Sequence, residues 1–133
     1  RKRNYVTAMM SPDRPTILSH TAVATNHQEN VEWISHARFT ATVERERFLL
    51  NRMALHRDPE DKFINAFLRP PLYSTAFAAG FGTLYTAVYR PRRQNMEIRW
   101  PGTTWALDLK NFVEAARQVH IPGAAEPAAL PQV

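Results

Sequence analysis

The chain contains no cysteine. That one absence excludes a disulfide scaffold, a thiolate metal site and a thiol nucleophile on this chain. Glycine is scarce, four residues in 133. The one close pair, Gly80-Phe81-Gly82, lacks the third glycine or the following Gly-Lys-Ser/Thr of a phosphate-cradling loop. No GxSxG elbow is present to expose a nucleophilic serine. No run approaches the roughly 18 apolar residues of a membrane span, so no membrane partner is expected. Histidines at 20, 27, 36, 56 and 120 include no i, i+4 pair. A helical zinc site is therefore not expected, and no metal or other cofactor is predicted.

What the chain does contain is globular in proportion. Apolar residues make up 44% and charged residues 22%, which excludes a disordered tail, a collagen and a coiled coil. Lys plus Arg less Asp plus Glu is 17 − 12 = +5. Lysine supplies only Lys2, Lys62 and Lys110, so the excess is arginine. The densest clusters are Arg1-Lys2-Arg3 and Arg90-Pro91-Arg92-Arg93, the second at a turn. Neither forms a basic stripe interleaved with stacking aromatics, so a solvated Arg-rich surface is expected and nucleic acid is not. The first residue is Arg1 rather than Met. A processed chain or a piece of a longer one is expected, and any targeting peptide would lie upstream. The expected compartment is cytoplasmic.

Along the chain, residues 1–16 carry charge, serine and two prolines and read as a loop. ILSHTAVAT, residues 17–25, reads as a strand. Both its faces are fairly apolar, which predicts a strand inside a layered structure. Residues 32–57 read as helix, with Ile34, Ala37, Ala41, Phe48 and Met53 near one stripe. Arg38, Arg45 and Arg52 recur every seven residues, and a solvated flank is expected for Arg38 and Arg52. Asp58-Pro59-Glu60-Asp61 predicts a helix start, with Asp58 as cap and Pro59 first in the helix. Pro70-Pro71 predicts its end. TLYTAVY (83–89) and NMEIRW (95–100) predict a hairpin turning near 91–94, and TWALDL (104–109) a third strand. Residues 110–120 read as helix, and the Pro/Ala-rich residues 121–133 as a loose tail. The order β, α, α, β, β, β, α segregates strands from helices, which predicts an α+β fold.

Asn26 directly follows the first predicted strand, where the loop begins. Its amide is a neutral donor suited to a developing oxyanion. It could equally cap the loop or helix that follows. No complete catalytic set is visible from the residues alone, and the chain by itself is expected to be inactive.

VATNHQ (23–28), the helix segment Thr42-Val43-Glu44-Arg45, and TLYTAVYRP (83–91) followed by MEIRWPG (96–102) change the balance. Their order and spacing resemble the acyl-coenzyme A:6-aminopenicillanic acid acyltransferase family. Its members are self-processing N-terminal-nucleophile (Ntn) hydrolases of linear amide C–N bonds and acyltransferases, related to choloylglycine hydrolases. The resemblance covers about residues 17–109 and implies the C-terminal portion of one αββα sandwich domain over residues 1–120. It implies an N-terminal Cys, released by autoproteolysis, whose α-amine serves as base. That nucleophile has no counterpart here, so the expected partner is an upstream nucleophile-bearing part of the same domain. A small-molecule amide or acyl donor is the expected substrate, and a homo-oligomer is compatible. Asn26 is implied as the oxyanion-hole donor. Thr25, His27 and Arg45 are implied around the substrate, Arg45 in a pocket or structural role. Some relatives place an Arg where this chain has Ala79-Gly80-Phe81-Gly82. Two other readings stay open: a polyanion-binding module using Arg90, Arg92 and Arg93, and a catalytically dead interaction domain.

Overall fold

The computed structural model describes residues 6–27, 33–55 and 58–121. It is a mixed α/β structure with three small antiparallel sheets, and its contacts cluster in two compact units, Arg1–Asp58 and Pro59–Val133. The tail expected over residues 121–133 lies, apart from Ile121, outside the described residues.

The first unit opens where a loop was expected. β1 (Thr7–Ser11) pairs antiparallel with β2 (Arg14–Ser19), Thr7 opposite Ser19 and Met9 opposite Ile17. The prolines misled the sequence reading. Pro12 sits in the tight turn, and Pro15 lies in a ribbon whose every strand is an edge, where a missing N–H is tolerated. The predicted strand therefore begins three residues early and stops at Ser19 rather than Thr25. It is also no inner strand: Leu18 is 65% and Met10 75% exposed. Beyond it the Thr21 hydroxyl donates to the Val23 carbonyl at 3.0 Å and accepts the Val23 N–H at 3.2 Å. Such local bonds compete with a sheet ladder and turn the chain out of it.

The long helix expected next is two helices. α1 (Ile34–Phe39) and α2 (Thr42–Leu55) meet at Ala41, whose φ is +48°. The Thr40 hydroxyl donates to the His36 carbonyl at 2.9 Å, and both Thr40 and Thr42 are buried. Among the described residues of this unit, Val23, Ala37 and Leu49 are the buried apolar ones. Arg52 is not a solvated flank. It pairs with Asp58 and lies 5.5 Å over the Phe48 ring.

The second unit begins with α3 (Glu60–Asn65), preceded by Pro59 without a side-chain cap. Asp58, expected as that cap, is bound to Arg52 instead. A 3-10 turn over Ala66–Leu68 follows, and Arg69 is extended, as a residue before proline prefers. β3 (Thr75–Ala76) and β4 (Phe81–Gly82) form a minimal hairpin. A Cβ on Gly82 would run into the Phe77 ring, so any larger residue there would force that ring to move.

β5 (Thr86–Arg90), β6 (Asn95–Trp100) and β7 (Thr103–Asp108) form the three-stranded antiparallel sheet that the sequence predicts. The β5–β6 turn spans Pro91–Gln94, with Gln94 left-handed at φ +52°. Opposite residues share a face. One face carries Thr86 and Arg99, Val88 and Glu97, and Arg90 and Asn95. The other carries Ala87, Ile98 and Trp105, then Tyr89, Met96 and Leu107.

The charged face binds α3. Arg90 Nε donates to Glu60 Oε1 at 2.7 Å, and Arg99 Nη1 to Asn65 Oδ1 at 3.3 Å. Glu97 sits between the two arginines, accepting from Arg90 at 2.8 Å and from Arg99 Nε at 2.6 Å. The helix expected over residues 110–120 does not form. Asp108 instead accepts the Lys110 and Asn111 N–H groups at 2.8 and 3.2 Å, closing a turn. Phe112 and Val113 then stand 62% and 76% exposed. Without a surface to bury its apolar side, so short a helix is marginal in water.

Two expectations follow. Ala41 holds a left-handed conformation that costs an L-residue about 1–2 kcal/mol. Glycine adopts it freely but loses more entropy on folding. Ala41→Gly should thus stabilise the first unit by a net of about 0.5–1 kcal/mol, read from the urea midpoint. The second concerns acid. Burial pushes the Glu97 carboxyl up, but hydrogen bonds from Arg99 and Arg90 outweigh it, and the group lies below its ordinary value of 4.5. A depressed folded-state pKa stabilises above the unfolded value and loses that contribution as pH falls through the folded one. Glu97→Gln should therefore narrow the gap in melting temperature between pH 6 and about pH 3 relative to wild type. An unchanged gap would show that other carboxylates govern acid unfolding.

Candidate functional site

Thr42, Arg45 and Glu46 stand at i, i+3 and i+4 in α2 and so present one helix face. All three reach the loop at Thr25, Asn26 and His27. The Thr42 hydroxyl donates to Thr25 Oγ1 at 2.8 Å. His27 Nδ1 lies 3.1 Å from Thr25 Oγ1 and 2.9 Å from Thr42 Oγ1. On the other side of the ring, His27 Nε2 lies 3.3 Å from Glu46 Oε2. With the ring proton on Nε2, every group has a role. Nε2 donates to Glu46, Nδ1 accepts the Thr25 hydroxyl, and Thr25 accepts Thr42. Thr42 has 0% exposure and Thr25 and His27 are half-buried, so the Thr42 hydroxyl holds the loop from a site closed to water.

Arg45 fixes the residue between. Its Nη1 donates to Asn26 Oδ1 at 2.8 Å and, more weakly, to the Thr40 carbonyl at 3.4 Å. An arginine can only donate, so the Asn26 atom facing it must be the oxygen. The Asn26 NH2 is thereby turned away from α2. Burial lowers the affinity of the Arg45 guanidinium for its proton, and Arg45 Nε has no hydrogen-bond partner among the described residues. The Asn26 amide is exposed and makes its hydrogen bond to a side chain, not to a helix N-terminus.

A cavity of about 260 Å³ adjoins this loop. β1 contributes Thr7, Ala8 and Met9 to its wall, and the loop contributes Ala24 with Thr25, Asn26 and His27. The four residues expected from sequence, Thr25, Asn26, His27 and Arg45, thus converge on one place. Two partners were not expected. Thr42 was part of a recognised segment without an assigned role, and Glu46 was not singled out. Their i, i+3, i+4 spacing with Arg45 was the available signal.

Among the described residues, no cluster of three His, Asp or Glu is placed to hold a metal ion, and no helix is long and apolar enough to cross a membrane. Arg90, the centre of the polyanion-binding alternative, is engaged by Glu60 and Glu97. Only Arg92 and Arg93 of that cluster stand exposed on the turn. No family, no curated protein and no solved structure matches the chain.

Thr42→Val keeps the shape of the buried side chain but cannot donate to Thr25. It should cost about 1–2 kcal/mol, whereas Thr42→Ser, which retains the donor, should cost less than about 1 kcal/mol. Urea unfolding followed by circular dichroism measures both. A smaller loss in Thr42→Val than in Thr42→Ser would mean that methyl contacts, not the hydroxyl, decide the stability.

Proposed function

We propose that this chain is the C-terminal portion of a self-processing amide (C–N) hydrolase or acyltransferase of the Ntn class. In this reading Asn26 supplies the oxyanion-hole donor to a cysteine nucleophile located outside the chain. The observation that carries the reading is the Arg45–Asn26 bond, because it leaves the Asn26 NH2 as an oriented neutral donor beside a cavity. A tetrahedral intermediate of acyl transfer carries negative charge on the former carbonyl oxygen. A pre-oriented amide donor stabilises that charge more than it stabilises the ground state. No basic side chain of this chain is then needed for proton transfer, since an N-terminal nucleophile uses its own α-amine.

The proposed fold is one half of an αββα sandwich. In such a sandwich each sheet has helices on one face and the second sheet on the other. Here α3 binds the charged face of the β5–β6–β7 sheet, and the opposite face is apolar. Tyr89 on that face is 64% exposed. A second sheet from the nucleophile-bearing part would cover it, as the sandwich requires.

The test uses the protein that carries this chain together with its nucleophile, with turnover of a simple anilide as readout. Asn26→Ala should lower kcat by about a hundredfold to a thousandfold, corresponding to roughly 3–4 kcal/mol, with a much smaller change in KM. Asn26→Asp, which puts an acceptor where a donor is needed, should be at least as damaging. Arg45→Met should also lower kcat, but only through Asn26. Added to Asn26→Ala it should change kcat by less than about twofold. Near-normal kcat in Asn26→Ala would reject the assignment, and additive losses would remove the positioning role from Arg45.

A further inference from the structure

β7 ends at Asp108, yet the chain does not leave the sheet there. Asp108 accepts the Lys110 and Asn111 N–H groups and closes a turn. Further on, the Arg117 guanidinium lies 5.2 Å from the centroid of the Trp105 ring. Trp105 precedes Asp108 in β7, so the chain has doubled back past the strand it came from. Trp105 is opposite Ile98 and belongs to the apolar face. The return therefore meets that face and not the one that α3 binds. Val119 and Ile121, near its end, are half-buried, whereas Phe112 and Val113 at its start stand exposed.

The returning segment is held lightly. No helix or strand forms over residues 112–121, so lifting it breaks no ladder. Among the described residues no carboxylate pairs with Arg117, and the Trp105 ring is its partner. At an exposed site a cation over an aromatic face favours contact by only about two- to fivefold. A packed second layer would bury several apolar side chains on the same face and would outcompete that contact. The contact suits a temporary cover, not a permanent one.

We infer that residues 109–121 are a strap over the apolar face of the β5–β6–β7 sheet. Arg117 latches it on Trp105 while the face is free, and a second layer docks only by releasing it. The inference rests on reading that face as one layer of a sandwich. It adds that the chain carries its own cover for the face, and that strap and second sheet exclude one another.

The experiment starts with the 133-residue chain. Indole NMR signals report on Trp105, and Nile red, a neutral apolar dye, reports on the uncovered face. Arg117→Ala should shift the Trp105 signal and raise dye binding about two- to fivefold. The Trp100 signal, fixed by the Nε1 bond to the Leu84 carbonyl at 2.7 Å, should stay in place. Arg117→Lys keeps the cation but loses the planar group, and should fall between wild type and Arg117→Ala. Adding Tyr89→Lys, which charges the face itself, should cancel the gain in dye. Arg117 and Tyr89 are exposed, so these variants should fold. An unmoved Trp105 signal, unchanged dye binding, or a gain that survives Tyr89→Lys would overturn the strap. The second stage uses the protein that joins this chain to its nucleophile-bearing part. There Arg117→Ala should leave the Trp105 signal unmoved, and Tyr89 should be protected from nitration. A Trp105 shift as large as in the 133-residue chain, with Tyr89 protected, would overturn the exclusion. Tyr89 open to nitration would reject the sandwich reading and leave the strap standing.

Discussion

The site depends on one buried hydroxyl. Thr42 begins α2, is fully removed from solvent, and meets both Thr25 and His27. Neither loop residue belongs to a strand or a helix, so no backbone ladder holds them. The break at Ala41 makes this contact available. An unbroken helix through residues 34–55 would carry the rotational phase of α1 into α2. The left-handed turn at Ala41 resets that phase, so that Thr42, Arg45 and Glu46 face the loop together. Strain at one residue thus orients three side chains.

Those three contacts divide the work between them. Thr42 and Glu46 fix the two ends of the His27 ring and so fix the path of the loop. Arg45 sets the rotation of the Asn26 amide, with a weaker bond to the Thr40 carbonyl. An asparagine without that contact could present either oxygen or nitrogen to a ligand, since the two ends differ little in shape. A partly buried guanidinium with an unbonded Nε is costly for stability alone. Under the proposed function it would serve to present one end of the Asn26 amide as the donor.

How much of this was legible in the sequence follows from what kind of force acts where. The β5–β6–β7 sheet was readable because its alternation, its Pro91 turn and its β-branched and aromatic content all agree. The long helix was readable in extent but not in its break, because Ala41 carries no sign of a left-handed backbone. The first hairpin was missed because Pro12 and Pro15 read as loop, although a two-stranded ribbon tolerates both. The helix over residues 110–120 was overread. Phe112, Val113 and Ala116 have the right spacing, but spacing supplies no surface to bury them. Thr25, Asn26, His27 and Arg45 were singled out through the family resemblance rather than through spacing. Their partners Thr42 and Glu46 share a helix face with Arg45, a spacing that is legible, but nothing in the sequence says that this face meets the Thr25–His27 loop.

The distribution of charge in the second unit bears on the same question. Burying Arg90, Glu97 and Arg99 on the helix-covered face of a sheet needs closed ion pairs, and the structure provides them. The apolar residues were left to the opposite face. A sheet folding alone would gain more by placing Ala87, Ile98, Met96 and Leu107 under its helix and leaving the charges in water. Under the proposed sandwich the arrangement has a reason, because a second layer would cover that apolar face. Those residues are half-buried, and among the described residues no strand pairs with the outer edges of β5 and β7, which is what the proposed sandwich would leave for a second layer to cover.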